Sequence, residues 1–104
     1  MDKGVAANIT GLIDYATDSV VSKTLIDTAA GTITLFAFDK TQGLSEHTAP
    51  FDAVVQVVDG AAAVTIGGNT TKVTEGQMII MPANIPHALK AVTRFKMLLT
   101  MIRA

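Results

Sequence analysis

The 104-residue chain contains no cysteine and no tryptophan, and its single tyrosine is Tyr15. Without cysteine it forms no disulfide, offers no thiolate nucleophile and cannot ligate a metal through thiolate sulfur. So few rings exclude an aromatic platform on which nucleic-acid bases would stack. Charge is scarce as well: 16% of residues are charged and the net charge is −1 at neutral pH. The loose basic group Lys90, Arg94, Lys96 and Arg103 is too thin to track a phosphate backbone, so no nucleic-acid partner is expected. No run approaches the ~20 apolar residues of a membrane span. The start, Met1-Asp2-Lys3-Gly4, lacks the basic-then-apolar pattern of a secretory leader. The expectation is a cytoplasmic protein with no membrane partner.

What the chain does have is apolar content, 49% of residues, carried by Val, Ile, Leu, Met and Ala with Phe36, Phe38, Phe51 and Phe95 as the large rings. That balance suits one packed domain and leaves no room for a second. Residues 1–19 read as an N-terminal segment with a short helix over about 8–16, on the offsets of Ile9, Leu12, Ile13 and Ala16. From Val20 onward the texture is β-branched and alternating, cut by Gly, Asn and Pro, so residues 20–104 read as a single all-β domain. Strands are predicted over 20–27, 32–39, 53–58, 63–66, 70–73, 77–81, 87–92 and 95–102, eight or nine in all, with a loop over 40–43. In the last, Phe95, Met97, Leu99 and Met101 share one face, while Leu98 and Ile102 make the other partly apolar, so cover on both faces is expected. No Gly-rich loop leads from a strand into a helix to hold phosphates, and neither histidine, His47 or His87, neighbours a nucleophile elbow.

The segment Gly76-Gln-Met-Ile-Ile-Met-Pro82-Ala-Asn84-Ile-Pro-His87 resembles the second cupin motif: glycine, five residues, proline, one residue, glycine, two residues, histidine. Asn84 stands at the second glycine, and asparagine is the natural substitute where φ must be positive. The asparagine that closes the family's motif is replaced by Ala91. Upstream, Gly60 resembles the last glycine of the first cupin motif; counting back, His47 matches its first histidine, Ala49 replaces the second and Ala53 replaces the glutamate. The run Glu46-His-Thr-Ala-Pro-Phe-Asp-Ala53 is also similar to small single-domain cupins of unassigned function. The resemblance implies a cupin-type antiparallel β-barrel, jelly-roll-like, in which His47 and His87 point inward and approach each other, and it implies a homodimer.

Two imidazoles fall short of the three protein ligands usual at a catalytic zinc or a non-haem iron. Asp52 and Glu46 are the nearby candidates for a third. Strand alternation from His47 sends both to the opposite face and keeps His47, Ala49, Phe51 and Ala53 on one side, unless a bulge at Pro50 turns Asp52 inward. The inward set Ala49, Phe51, Ala53, Val55 and Val57 is expected to line a pocket, its small residues leaving room. Plainer roles stand beside these: His87 bonded to a backbone carbonyl, His47 capping a loop, Asp52 and Glu46 as solvated charges. Met78, Met81, Met97 and Met101 offer soft sulfur to copper, though methionine at strand spacing is usually core filling.

Three functions are compatible with this reading. The first is a metal-assisted enzyme in which His47 and His87 hold a divalent Zn, Mn, Fe, Ni or Cu ion. The second is a metal-free pocket for a small, largely apolar ligand, and the third a non-catalytic dimeric structural, sensory or interaction module. The sequence assigns no catalytic residue, substrate or reaction.

Overall fold

Alternating β-branched residues from Val20 onward build nine antiparallel strands in the computed structural model, which describes residues 1–103. They are β1 (Val20–Thr28), β2 (Gly31–Phe38), β3 (Gly43–His47), β4 (Ala53–Asp59), β5 (Ala61–Ile66), β6 (Asn69–Thr74), β7 (Met78–Met81), β8 (His87–Ala91) and β9 (Phe95–Ile102). A five-stranded sheet runs β1-β2-β9-β4-β7 and a four-stranded sheet runs β3-β8-β5-β6. From β2 onward almost every connection crosses from one sheet to the other, the jelly-roll habit that closes a barrel. No helix among the described residues is long and apolar enough to cross a membrane.

Local chemistry fixes the corners. Gly67 and Gly68, both at positive φ (55° and 85°), form the two-residue turn that registers Ile66 against Asn69. Gly60 carries the chain from one sheet to the other at φ 73°, with the Arg94 carbonyl lying where a Cβ would stand, so only glycine fits. Asn84 adopts φ 63°, the left-handed conformation expected of it.

One end of the barrel is filled. Phe38 and Phe95 stack with centroids 4.3 Å apart, and Val55, Val57, Val64 and Met97 close around them with almost no exposure. The sequence pattern does not predict strand β3, because Gly43-Leu-Ser-Glu-His has a single apolar residue and no alternation. Its irregularity proves important: between Leu44↔Leu89 and His47↔His87 it spends three residues against two on β8, a β-bulge.

The short N-terminal helix is only a single 3-10 turn, Ile9–Gly11, less than the span of 8–16 expected. Gly11 sits inside it and Asn8 makes no side-chain cap, so little sustains a longer helix. The segment instead lies as a strap on the outer face of the five-stranded sheet, burying Ile13 against Leu35 and Ala37, with Leu98 packed alongside. Tyr15 anchors it: its hydroxyl donates to Asp59 at 2.6 Å, and the Arg94 and Lys96 cations lie 4.3 and 4.9 Å from its ring centre. Lys96 Nζ donates to the Thr10 carbonyl at 2.6 Å, and Arg94 pairs with Asp39 at 3.0 Å. The cover expected over both faces of β9 is thus partial: Leu98 lies under the strap, and Ile102 is exposed.

Candidate functional site

The open end of the barrel holds a cavity of about 490 Å³ that contains no charged lining residue. Its wall on the four-stranded sheet carries His47, His87, Leu44 and Leu89; its wall on the five-stranded sheet carries Phe36, Ala53, Met81, Met97, Leu99 and Met101. The loop residues Ala49, Pro50 and Phe51 rim it. Leu44 and His47 are three apart, so regular alternation would put them on opposite faces; the bulge at Ser45–Glu46 restores His47 to the interior.

The histidines meet directly. His47 Nε2 and His87 Nε2 are 3.1 Å apart with the rings edge to face. His87 is 3% exposed at the start of β8, whereas His47 is exposed at the mouth. On the far side of each ring, Nδ1 faces a backbone carbonyl two residues earlier: Ser45 at 2.7 Å for His47 and Ile85 at 3.2 Å for His87. A carbonyl oxygen only accepts, so each Nδ1 carries the proton. In the neutral state both Nε2 atoms therefore present lone pairs to the same point, an arrangement that repels until a cation stands between them. Burial of His87, and then the charge of His47, push the His87 pKa below its ordinary value, against a smaller upward pull from the Ile85 carbonyl. The neutral form of His87 is thus favoured.

Neither acidic candidate joins the pair. Asp52 is exposed, and its Oδ1 accepts the Ala83 N–H at 2.8 Å, while the Asn84 N–H donates to the Ala49 carbonyl at 2.8 Å. These two bonds stitch the rim loops together, so Asp52 shapes the mouth from outside. Glu46 is exposed in the bulge. Among the described residues no group of three or more His, Asp and Glu side chains is placed to hold an ion. The irregularity lies at Ser45–Glu46, upstream of Pro50, and Ala53 still faces inward as the start of regular β4.

Of the expected lining residues, Ala49, Phe51 and Ala53 reach the cavity. Val55 and Val57 do not: they lie deeper on β4, where Phe38 and Phe95 fill the barrel, and belong to the packed core. Residues not singled out as lining, Phe36, Leu44, Leu89 and Leu99, complete the apolar wall. The period-two face of β9 was the signal for Leu99; the others depend on sheet pairing that no local pattern reveals.

Residues 34–103 match the family model Cupin_2, a cupin domain. The fold is similar to the crystal structure of a conserved protein of unknown function from Streptococcus pyogenes, with a TM-score of 0.95 and 38% identity over 100% of this chain and 91% of that one. It is also similar to a cupin 2 conserved barrel domain protein from Leptotrichia buccalis, with a TM-score of 0.90 and 35% identity over 93% of this chain and 47% of that one. An uncharacterized protein of Streptomyces coelicolor is 38% identical over 53 residues, 51% of this chain and 50% of that protein, so the match spans half of that curated relative's length.

Proposed function

Because the chain belongs to the Cupin_2 family of cupin domains, we propose that its cavity is a small-molecule site organised around a transition-metal ion held by His47 and His87. The observation that carries this reading is the approach of the two Nε2 atoms to 3.1 Å, each imidazole facing a backbone carbonyl through its Nδ1. That separation suits neighbouring ligands on one ion with bonds of about 2.0–2.1 Å, and an Nδ1–H to carbonyl bond is the usual support of a metal-binding histidine. When bound, the ion supplies Lewis acidity toward an oxygen or nitrogen of the ligand.

The rest of the chemistry belongs to the protein. Phe36, Leu89 and Leu99 enclose the apolar body of the ligand and exclude water, while the exposed edge of His47 leaves the mouth open to solvent. The class supported is a small, largely apolar molecule with one polar head. Metal content by mass spectrometry, on protein purified without chelator and after adding back zinc, manganese, iron, nickel or copper, tests it. Near-stoichiometric metal in the parent that is lost in both His47→Ala and His87→Ala supports the proposal; metal retained in both variants, or a folded parent that takes up none, rejects it.

A second reading, pairing of two copies through the five-stranded sheet, is favoured by one observation. Ile80, Val54, Thr100, Ile33 and Ile26 are successive register partners across all five strands and so form one row on the face away from the cavity. Ile26 and Ile80 in that row are exposed, as are the neighbouring Met78 and Ile102. Light scattering across concentration tests this: a dimer that Ile80→Lys converts to monomer supports it, and a monomer throughout rejects it.

A further inference from the structure

Opposite the histidine pair, the five-stranded sheet presents a row of three residues. Ala53 on β4 is in register with Met81 on β7 on one side and with Met101 on β9 on the other. All three line the same cavity as His47 and His87. Ala53 is 2% exposed and contributes only a methyl group, so nothing on it separates the two thioether side chains. We propose that the ion held by His47 and His87 is cuprous copper, completed by thioether sulfur from Met81 and Met101; the inference rests on the metal site proposed above and specifies its ion.

Three features favour a soft, monovalent cation over a divalent one. The first is charge. No carboxylate or other charged side chain lines the cavity, so an ion there has only neutral ligands. The cost of removing an ion from water grows with the square of its charge, about fourfold from +1 to +2, and no negative charge in the cavity offsets it. The second is ligand softness: thioethers select Cu(I), imidazole accepts it readily, and the oxygen ligands preferred by Mg, Ca and Mn are absent. The third is reach. Methionine has three rotatable side-chain bonds and adapts its sulfur position to an irregular space, which a rigid aliphatic wall could not do. Met97 also borders the cavity, but it is fully buried in the core between its register partners Phe36 and Val57, further from the mouth than Met81 and Met101; Met78 is exposed on the outer face. The two methionines flanking Ala53 are therefore the ones assigned to the ion.

The test titrates the full chain with Cu(I) under anaerobic, reducing conditions against a coloured Cu(I) chelator, and in parallel with Zn(II). The proteins compared are the parent, Met81→Leu/Met101→Leu and His87→Ala. Leucine for methionine nearly conserves volume, so the fold is expected to survive. The expected result is one Cu(I) per chain, a sulfur shell in the copper X-ray absorption spectrum, and Cu(I) binding weakened by about tenfold or more in the double variant, with Zn(II) binding nearly unchanged. A parent spectrum with nitrogen ligands alone, or unchanged Cu(I) affinity in the double variant, overturns the assignment while leaving the histidine site intact if Zn(II) still depends on His87. Binding of both ions that ignores His87→Ala overturns the underlying metal site as well. Should the double variant not fold, the parent's absorption spectrum decides alone: sulfur at the copper supports the proposal and its absence overturns it.

Discussion

Replacing Ala53 by glutamate puts a carboxylate into the wall that faces the histidine pair. Ala53 is 2% exposed and opens onto about 490 Å³ of cavity, so the added atoms have space and the main cost is electrostatic. In metal-free protein no lysine or arginine lines the cavity to pair with the carboxyl group, and burial raises its pKa. A rise of about two to three units costs about 3–4 kcal/mol at pH 7, at 1.36 kcal/mol per unit. For a domain of this size each kcal/mol moves Tm by roughly 4–8 °C, so Ala53→Glu with chelator present is expected to melt at least about 10 °C below the parent. A metal ion on His47 and His87 offsets much of the penalty by giving the carboxylate a partner: zinc at about a hundred times its Kd returns about 2.7 kcal/mol. Ala53→Gln has nearly the same size without the charge and separates packing from electrostatics. The chain has no tryptophan, so calorimetry or circular dichroism reads the transition. If Ala53→Glu melts with the parent in chelator, or if zinc raises its Tm no more than that of Ala53→Gln, the reasoning about the cavity fails.

Other expectations concern the frame that holds the site. Tyr15→Phe removes the hydroxyl that donates to Asp59, and should cost about 1.5–3 kcal/mol in urea unfolding, as loss of a bond to a charged acceptor does; an unchanged midpoint means the strap is held by packing alone. Gly60→Ala forces a Cβ into the Arg94 carbonyl at positive φ, and should cost more than about 2 kcal/mol or prevent folding; normal stability would show that the corner relaxes. Asp39 accepts the backbone N–H groups of Asp18 and Lys40 and pairs with Arg94, and these hold its pKa below the ordinary carboxylate value, the Asp18 N–H most of all. Its contribution is therefore present above the unfolded-state pKa near 4 and lost as pH falls through the lower folded-state value. Thermal melts from pH 6 to pH 2 should show a shallower acid decline for Asp39→Asn than for the parent; parallel profiles would exclude Asp39 as a source.

Much of this architecture was readable because it is written locally. Gly67-Gly68 names its hairpin, Asn84 announces a positive φ, and the period-two face of β9 marks the barrel interior. The two histidines could be paired from the motif resemblance alone. What escaped depends on partners far along the chain or on a change of phase within a strand. The bulge at Ser45–Glu46 leaves no compositional mark, yet it decides that His47 turns inward and sets the phase from which Glu46 and Asp52 are judged. Asp52 looks like a ligand candidate until its Oδ1 is found on the Ala83 N–H, 31 residues away. Val55 and Val57 continue the inward face of Ala53, but the depth at which Phe38 and Phe95 close the barrel is a property of other strands. The N-terminal residues carry helix-like offsets, and the same apolar side chains serve equally well to lay a strap on a sheet whose cations, Arg94 and Lys96, receive Tyr15.

The account turns on two imidazoles that each keep a proton on Nδ1 and aim Nε2 at a shared ion. Nitrogen-15 NMR of the histidine rings during titration with zinc, and with cuprous copper, observes this directly, since both ions are diamagnetic. The account predicts that the Nε2 resonances of His47 and His87 move together, saturate at one equivalent, and retain their Nδ1–H protons. Movement of only one ring, or loss of a proton from Nδ1 on binding, would contradict it.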